Sequence, residues 1–289
     1  MKITLLNCMV GIVDVGGGLR GIYGAGVFDR LLDDDITLDY CIGVSAGSAN
    51  IASYTAGQKG RNYKFYTEYI FHRDYMSFKN IIKKGAYLDL GYIYGTLSNN
   101  GGENPLDFEK MSSYCGQIKI VATDAQSGET VYLDKADIKQ DNYWPFIASS
   151  SLPIACKPYC SGESTYFDGG ISDPVPIRKA FSDGCDKVIV ILTKPIEPLI
   201  KNTRDILGAK LLNKKYPNFA KKLREHNDIY NESVEFALEC QEKGDALVIC
   251  PSSDLNMGTL TKDIQKLDTL YKMGYDDAEK IKQFVQPRV

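Results

Sequence analysis

The sequence predicts an α/β fold built on a mainly parallel sheet, and three observations predict it. A β-branched apolar run at 9–15 passes through a glycine loop into a helical pattern, and then into a second apolar run at 38–44. This is a β-α-β unit, the repeating piece of parallel sheets. The pentapeptide Gly43-Val44-Ser45-Ala46-Gly47 reads G-x-S-x-G, with a strand-like segment before it and small, helix-compatible residues after it. Further short apolar runs at 119–123, 187–192 and 246–250 supply more strands between helical stretches.

Taken in order, 9–15 fits a buried strand, and Gly16-Gly17-Gly18-Leu19-Arg20-Gly21 is a glycine loop. Residues 22–32 carry Ile22, Ala25, Val27, Phe28, Leu31 and Leu32 at helical spacing, before the acidic run Asp33-Asp34-Asp35. The stretch 58–104 is rich in Tyr, Gly, Asn and Lys, with a short helical pattern at 63–71 and no strong strand. It is expected to cover one side of a site, with an exposed loop at 98–102. Strands are predicted at 119–123 and 130–133 around a turn at 126–129, and a short helix at 142–151 closed by Pro153. Tyr166-Phe167 leads into Asp168-Gly169-Gly170. A long amphipathic helix is expected within 213–243, interrupted or begun at Pro217, and a last helix at 262–284. No repeat or linker divides the chain, so residues 1–289 are expected to form one domain.

The chain has 289 residues, a formal net charge of −3 and 44% hydrophobic residues. That balance supports an ordinary buried core and gives no support to nucleic-acid binding. No apolar run approaches the roughly 20 residues that span a bilayer. Lys2 and the apolar residues after it superficially resemble a short signal peptide. No small-residue cleavage site follows, and the run leads into the glycine loop, so it reads as the first buried strand. Eight cysteines are scattered without a C-x-x-C pair, and only His72 and His226 could join them at a metal. Reduced thiols in a cytoplasmic protein, with no metal, are therefore expected.

The chemistry starts at Ser45. Strand, sharp turn and helix make G-x-S-x-G a nucleophile elbow, with Gly43 and Gly47 leaving room for the turn. A serine hydroxyl needs a base. His226 sits in a charged helical stretch and reads as a solvated residue. The α/β-hydrolase order places histidine last, after the acid, and His72 comes too early for it, so a triad through it is the weaker reading. A carboxylate within reach can serve instead, and Asp168, on a turning loop before two glycines, is the best candidate. An ordinary Asp-Gly turn is the alternative reading of Asp168. The amides of Gly16, Gly17, Gly18 and Gly21, with Arg20 nearby, could form an anion-binding nest for an oxyanion. The same glycines also satisfy G-x-G-x-x-G, the dinucleotide fingerprint. Asp39 would then be the ribose-binding acid, yet it falls at the start of its strand, and Ser45 occupies the end.

Three elements in order, the Gly16–Gly21 loop, the Ser45 elbow and Asp168-Gly169-Gly170, resemble the patatin-like phospholipase family. The stretches Ala148-Ser149-Ser150-Ser151-Leu152-Pro153 and Asp173-Pro174-Val175-Pro176 look similar as well. The resemblance covers about 11–180. It implies a three-layer α/β/α fold, Ser45 as nucleophile, Asp168 as base, loop amides as oxyanion hole, no cofactor and an acyl-ester lipid substrate. Val15 departs from the pattern, because bacterial members often carry glutamate there, and is expected to alter loop support rather than chemistry. A dinucleotide-binding oxidoreductase and a catalytically idle binding module are the alternatives. Basic residues from Lys210 to Arg224 interleave with Leu211, Leu212, Tyr216, Phe219 and Leu223. They read either as a peripheral membrane patch or as a helix packing its apolar stripe on the core.

Overall fold

The structure is a computed structural model that describes residues 8–200 and 203–285. The strands are β1 (Val10–Asp14), β2 (Tyr40–Val44), β3 (Gln117–Asp124), β4 (Thr130–Asp134), β5 (Tyr159–Ser161), β6 (Ser164–Asp168), β7 (Lys187–Ile191) and β8 (Ala246–Ile249). They form one sheet in the order β5-β6-β3-β2-β1-β7-β8, with β4 also paired to β3. The five strands β3, β2, β1, β7 and β8 run parallel. The hairpin arms β4, β5 and β6 are antiparallel.

Side chains of the parallel strands alternate between two apolar layers, as a period of two requires. Ile12, Cys41, Ile120 and Ile189 lie in one buried cluster, whereas Val13, Ile42, Val121 and Val190 lie in the other. Both faces are covered, which is why these strands read as continuous apolar runs. The first face carries α1 (Ile22–Asp33) and α2 (Ala46–Thr55), which share its cluster with α11 (Ile264–Asp277). The second carries α8 (Ile177–Ser182) and the long α10 (Pro217–Lys243). The architecture is thus three-layered α/β/α around a mainly parallel sheet. Three tyrosine–aspartate hydrogen bonds tie α11 to α1: Tyr23 to Asp277 at 2.9 Å, Tyr271 to Asp29 at 2.7 Å and Tyr275 to Asp33 at 2.7 Å.

Between α2 and β3 the chain forms α3 (Arg61–Thr67), α4 (Phe78–Lys84), the single turn α5 (Leu90–Tyr92) with a π-helical turn after it, and α6 (Phe108–Ser113). An isolated antiparallel bridge, Met76 to Leu88, brackets α4. After β4 comes α7 (Trp144–Ser149), shorter than its pattern predicts. Several short elements lie outside the predictions, α4, α6 and α8 among them, as do the three-residue β5, whose residues are largely exposed, and α9 (Thr203–Leu212), whose apolar residues form no clean stripe. Helix α10 begins at Pro217, with proline in the first turn where its missing N–H is harmless. The predicted last helix is broken at Ala278 into α11 and α12 (Glu279–Val285). The first strand starts at Val10, and the predicted apolar start at 2–7 lies outside the described residues. Tyr216, Phe219 and Leu223 are buried against Phe167 and Ala125. They pack the core and are not available to a headgroup layer, so that part of the predicted membrane patch is helix interior.

Candidate active site

The ends of three adjacent strands build one corner. β1 and β2 pair with Asp14 opposite Gly43, so the glycine loop leaves β1 beside the elbow that leaves β2. On the other side, Val44 pairs with Val121, and the next residue of β3, Ala122, pairs with Asp168 at the end of β6. Strand register alone therefore brings the loop, Ser45 and Asp168 together.

Ser45 stands between β2 and α2 with φ 54° and ψ −128°. A non-glycine residue there is strained, and the surrounding chain holds it in place. Its own N–H donates to Ser149 Oγ at 2.9 Å, and its carbonyl accepts from Ser48 Oγ at 2.6 Å. A Cβ at Gly47 would come 2.3 Å from the Asp14 carbonyl oxygen, so only glycine lets the elbow sit this close to β1.

Asp168 is 3% exposed, and its Oδ1 accepts the Gly170 N–H at 2.8 Å. Among the described residues, Oδ2 is buried without a hydrogen-bond partner of normal geometry. Burial pushes the carboxyl pKa up to about 6, offset in part by the Ser45 hydroxyl, the Gly170 amide and the charge of His226. The hydroxyl is thus close enough to stabilise the carboxylate, while Oδ2 keeps a free lone pair. Thr123 Oγ1 donates to the Asp168 carbonyl at 2.8 Å and fixes the turn behind it.

The glycine loop holds three successive positive φ values, 66°, 105° and 62° at Gly16, Gly17 and Gly18. The Gly16 N–H is occupied by Asp14 Oδ1 at 2.9 Å, and the Gly16 carbonyl accepts from Thr193 Oγ1 at 2.5 Å. Among the described residues, the Gly17 and Gly18 amides have no such acceptor. Gly21 closes the short 3-10 turn Gly18–Gly21 and lies against Ala46 and Tyr66. The Arg20 guanidinium turns away from Ser45. It donates to the Met257 carbonyl at 3.2 Å and lines a separate cavity with Lys194, Asp254 and Thr259.

Asp14 is a site residue that motif reading misses. It is fully buried, with its pKa raised by burial to about 6 and held down by the Asn50 side chain and the Gly16 amide. Its Oδ2 accepts from Asn50 Nδ2 at 2.8 Å, and Asn50 also donates to the Gly21 carbonyl at 2.8 Å. The pair braces the glycine loop from beneath. The only sequence signal is a carboxylate ending an apolar strand. Ser149, in the stretch singled out above, is likewise placed by the fold at the Ser45 amide.

The histidines part company. His72 Nδ1 lies 2.7 Å from Tyr92 Oη and is not among the residues lining the Ser45 cavity. His226 is half-buried on α10, 3.5 Å from Asp205, and its charge is felt at Asp168. It is thus less solvated than its charged neighbours suggest. Asp39 accepts the Val10 N–H at 2.9 Å, at the opposite end of the sheet from the glycine loop. A ribose bound at that loop is out of its reach, which removes the second half of the dinucleotide fingerprint.

Ser45 opens on a narrow cavity of about 40 Å³, lined by Gly18, Leu19, Tyr66, Tyr75, Leu88 and Tyr94 among others. The lining is mostly aromatic and aliphatic, with the Ser45 and Ser150 hydroxyls as polar exceptions.

Fold and corner together define a three-layer α/β/α protein with a strained serine, a buried carboxylate and a glycine loop set at adjoining strand ends. The chain belongs to the patatin-like phospholipase family, whose sequence profile matches residues 15–181. A second profile, described as a domain of unknown function (DUF6363), matches residues 216–286. The uncharacterized protein YjjU of Escherichia coli is 28% identical over 64% of this chain and 52% of its own length. Lysophospholipase NTE1 of Meyerozyma guilliermondii is 27% identical over 96% of this chain, and NTE1 of Candida albicans is 26% identical over 95%. The chain spans about half of YjjU and about a fifth of the NTE1 proteins. VipD from Legionella pneumophila superposes over 96% of this chain and 67% of its own, with TM-score 0.48 and 13% identity.

Proposed function

We infer that the protein is a serine acyl-ester hydrolase acting on lipid esters, of the phospholipase A or lysophospholipase kind. The observation that carries this reading is the juxtaposition of strained Ser45 with an Asp168 carboxylate whose second oxygen has no partner. Asp168 takes the Ser45 proton as Ser45 Oγ attacks the ester carbonyl. The carbonyl oxygen becomes an oxyanion facing the Gly17 and Gly18 amides, with Gly16, Arg20 and Gly21 shaping the loop. The tetrahedral intermediate then collapses, and the alcohol leaves with the proton from Asp168. Water attacks the acyl-enzyme with Asp168 again as base, releasing the acid and restoring Ser45. A carboxylate with a pKa of about 6 suits this duty near neutral pH.

The apolar lining of the cavity supports an acyl chain as the bound group, and the lysophospholipase relatives point to the same substrate class. Residues 181–289 belong to the same domain in this reading. Supporting this, β8 extends the sheet, and α11 is tied to α1 by the three tyrosine–aspartate bonds. Eight free thiols fit a cytoplasmic setting. The test is hydrolysis of an ester series from short-chain nitrophenyl esters to lysophospholipid, by the wild type and Ser45→Ala. Loss of turnover across the series in a folded Ser45→Ala protein is expected. Retained turnover in that variant rejects the reading.

A further inference from the structure

We propose that α4 and the surface beside it form a docking face for an anionic lipid bilayer, at the mouth of the Ser45 cavity. Six of the seven residues of α4 are exposed, and only Asn80 is buried. Asn80 anchors the helix through its side-chain amide, which donates to the Asp74 and Tyr75 carbonyls at 3.1 and 3.2 Å. The exposed residues are of two kinds. Phe78 is 78% exposed and Ile82 88%, with Ile81 beside them. Lys79, Lys83 and Lys84 are interleaved with these, and Lys157 lies against Gly85. Asp89 pairs with Lys84, while Lys79 and Lys83 stay exposed on the helix.

Position gives this face its meaning. The two arms that carry α4 are Tyr75 and Leu88, which both line the Ser45 cavity. The Tyr87 and Leu88 amides donate to the Ala155 carbonyl at 3.0 and 3.1 Å, joining α4's arm to the loop holding Ile154. Ile154 is itself exposed and lies against Gly208 of α9, whose Leu207 and Leu211 are exposed too. Hydrogen bonds and packing thus link α4's arm through Ile154 to α9, and Tyr75 and Leu88 of that arm line the cavity. Large apolar side chains standing in water beside exposed lysines match a headgroup layer, where apolar residues reach the acyl boundary and lysines meet anionic lipid. The helix is too short to span a bilayer, and among the described residues no helix is long and apolar enough to do so.

The face is independent of turnover, so the experiment uses the Ser45→Ala protein, which leaves the vesicles intact under the hydrolase reading. Cosedimentation is measured with phosphatidylcholine vesicles and with equimolar phosphatidylcholine–phosphatidylserine vesicles, at low and high salt. Binding to the anionic vesicles, weakened by salt, is expected. Phe78→Ser combined with Ile82→Ser is expected to weaken it by about tenfold or more, and Lys79→Glu combined with Lys83→Glu by a similar factor. Lys221→Glu on α10 is expected to leave it unchanged. All variants should melt with the parent, because the altered side chains are exposed. The proposal is overturned if the parent binds neither vesicle, or if the α4 variants bind as the parent does. It is equally overturned if replacing Phe78 and Ile82 instead abolishes a dimer seen by sedimentation velocity, which would make α4 a self-contact.

Discussion

Asp14 and Asp168 are two buried carboxylates at one corner of the sheet, and they differ in how their oxygens are engaged. Both are fully enclosed, and burial raises both to a pKa of about 6. Asp14 ends β1 with each oxygen engaged, one by the Gly16 amide and the other by Asn50. Asp168 ends β6 with one oxygen on the Gly170 amide and the other, among the described residues, without a partner. A buried charge is tolerated where hydrogen bonds complete it, and an incomplete one is a cost that ordinary packing does not explain. The same residue type at the same depth braces a loop at Asp14 and, under the proposed function, holds the proton site at Asp168, and unused hydrogen-bonding capacity is what tells the two apart.

The largest expected effect separates them by turnover. Asp168→Asn keeps the Gly170 contact but cannot take a proton, so kcat should fall by about 10⁴-fold or more, comparable to Ser45→Ala. Asp14→Asn sets an amide against either Asn50 or the Gly16 N–H. Its loss should be smaller, roughly 10- to 100-fold, through a displaced glycine loop. Steady-state kinetics on a short-chain ester compares the two. Equal losses would dissolve the distinction between proton site and brace.

Stability sharpens the comparison in the opposite direction. Each folded-state pKa is raised from the ordinary 3.8 to about 6, so the neutral form is favoured in the fold. The stability these groups contribute is therefore present below about pH 4 and is lost as pH rises through about 6. Two pKa units correspond to about 3 kcal/mol per group at neutral pH. Asp168→Asn removes that cost without losing a bond and should raise Tm by several degrees at pH 8. The gain should shrink as pH falls towards 4. Asp14→Asn loses a bond as it loses the charge, so its Tm should change less. Thermal melts at both pH values check this.

A third expectation concerns the pH profile. In the proposed dyad Asp168 must be ionised to act as base, so kcat/KM should rise with pH through an apparent pKa near 6 and then level off. The smallest effects belong to the histidines. His226 helps to hold the Asp168 pKa down. His226→Gln should therefore shift the acid limb upward by less than about one unit, with the plateau unchanged. His72→Gln should leave both the limb and the plateau alone. A plateau that collapsed in His72→Gln would favour a triad over a dyad.

Much of the fold is legible in the sequence, because strands enclosed on both faces must be apolar throughout. The runs at 9–15, 38–44 and 187–192 appear as β1, β2 and β7. Gly43, Ser45, Gly47 and Asp168 are legible for a related reason: close backbone approach admits only glycine, and a sharp turn leaves a local mark. What escaped was either short and exposed, as β5 is, or set by partners distant in sequence. Ser149 meets Ser45 across 104 positions and Arg20 meets Met257 across 237. No local pattern shows that Arg20 turns to another cavity. The apolar residues of 216–223 carry the period of a helix, yet period alone does not tell which face meets the core. Packing against Phe167 decides that.

The central claim is that Ser45 is a nucleophile activated by Asp168. Its most direct test is to react the protein with a fluorophosphonate at pH 8 and map the adduct by peptide mass spectrometry. One adduct is expected, on Ser45, with none in Ser45→Ala and labelling of Asp168→Asn slowed by orders of magnitude. An adduct on another residue, or a folded protein labelled equally fast with asparagine at 168, would contradict it.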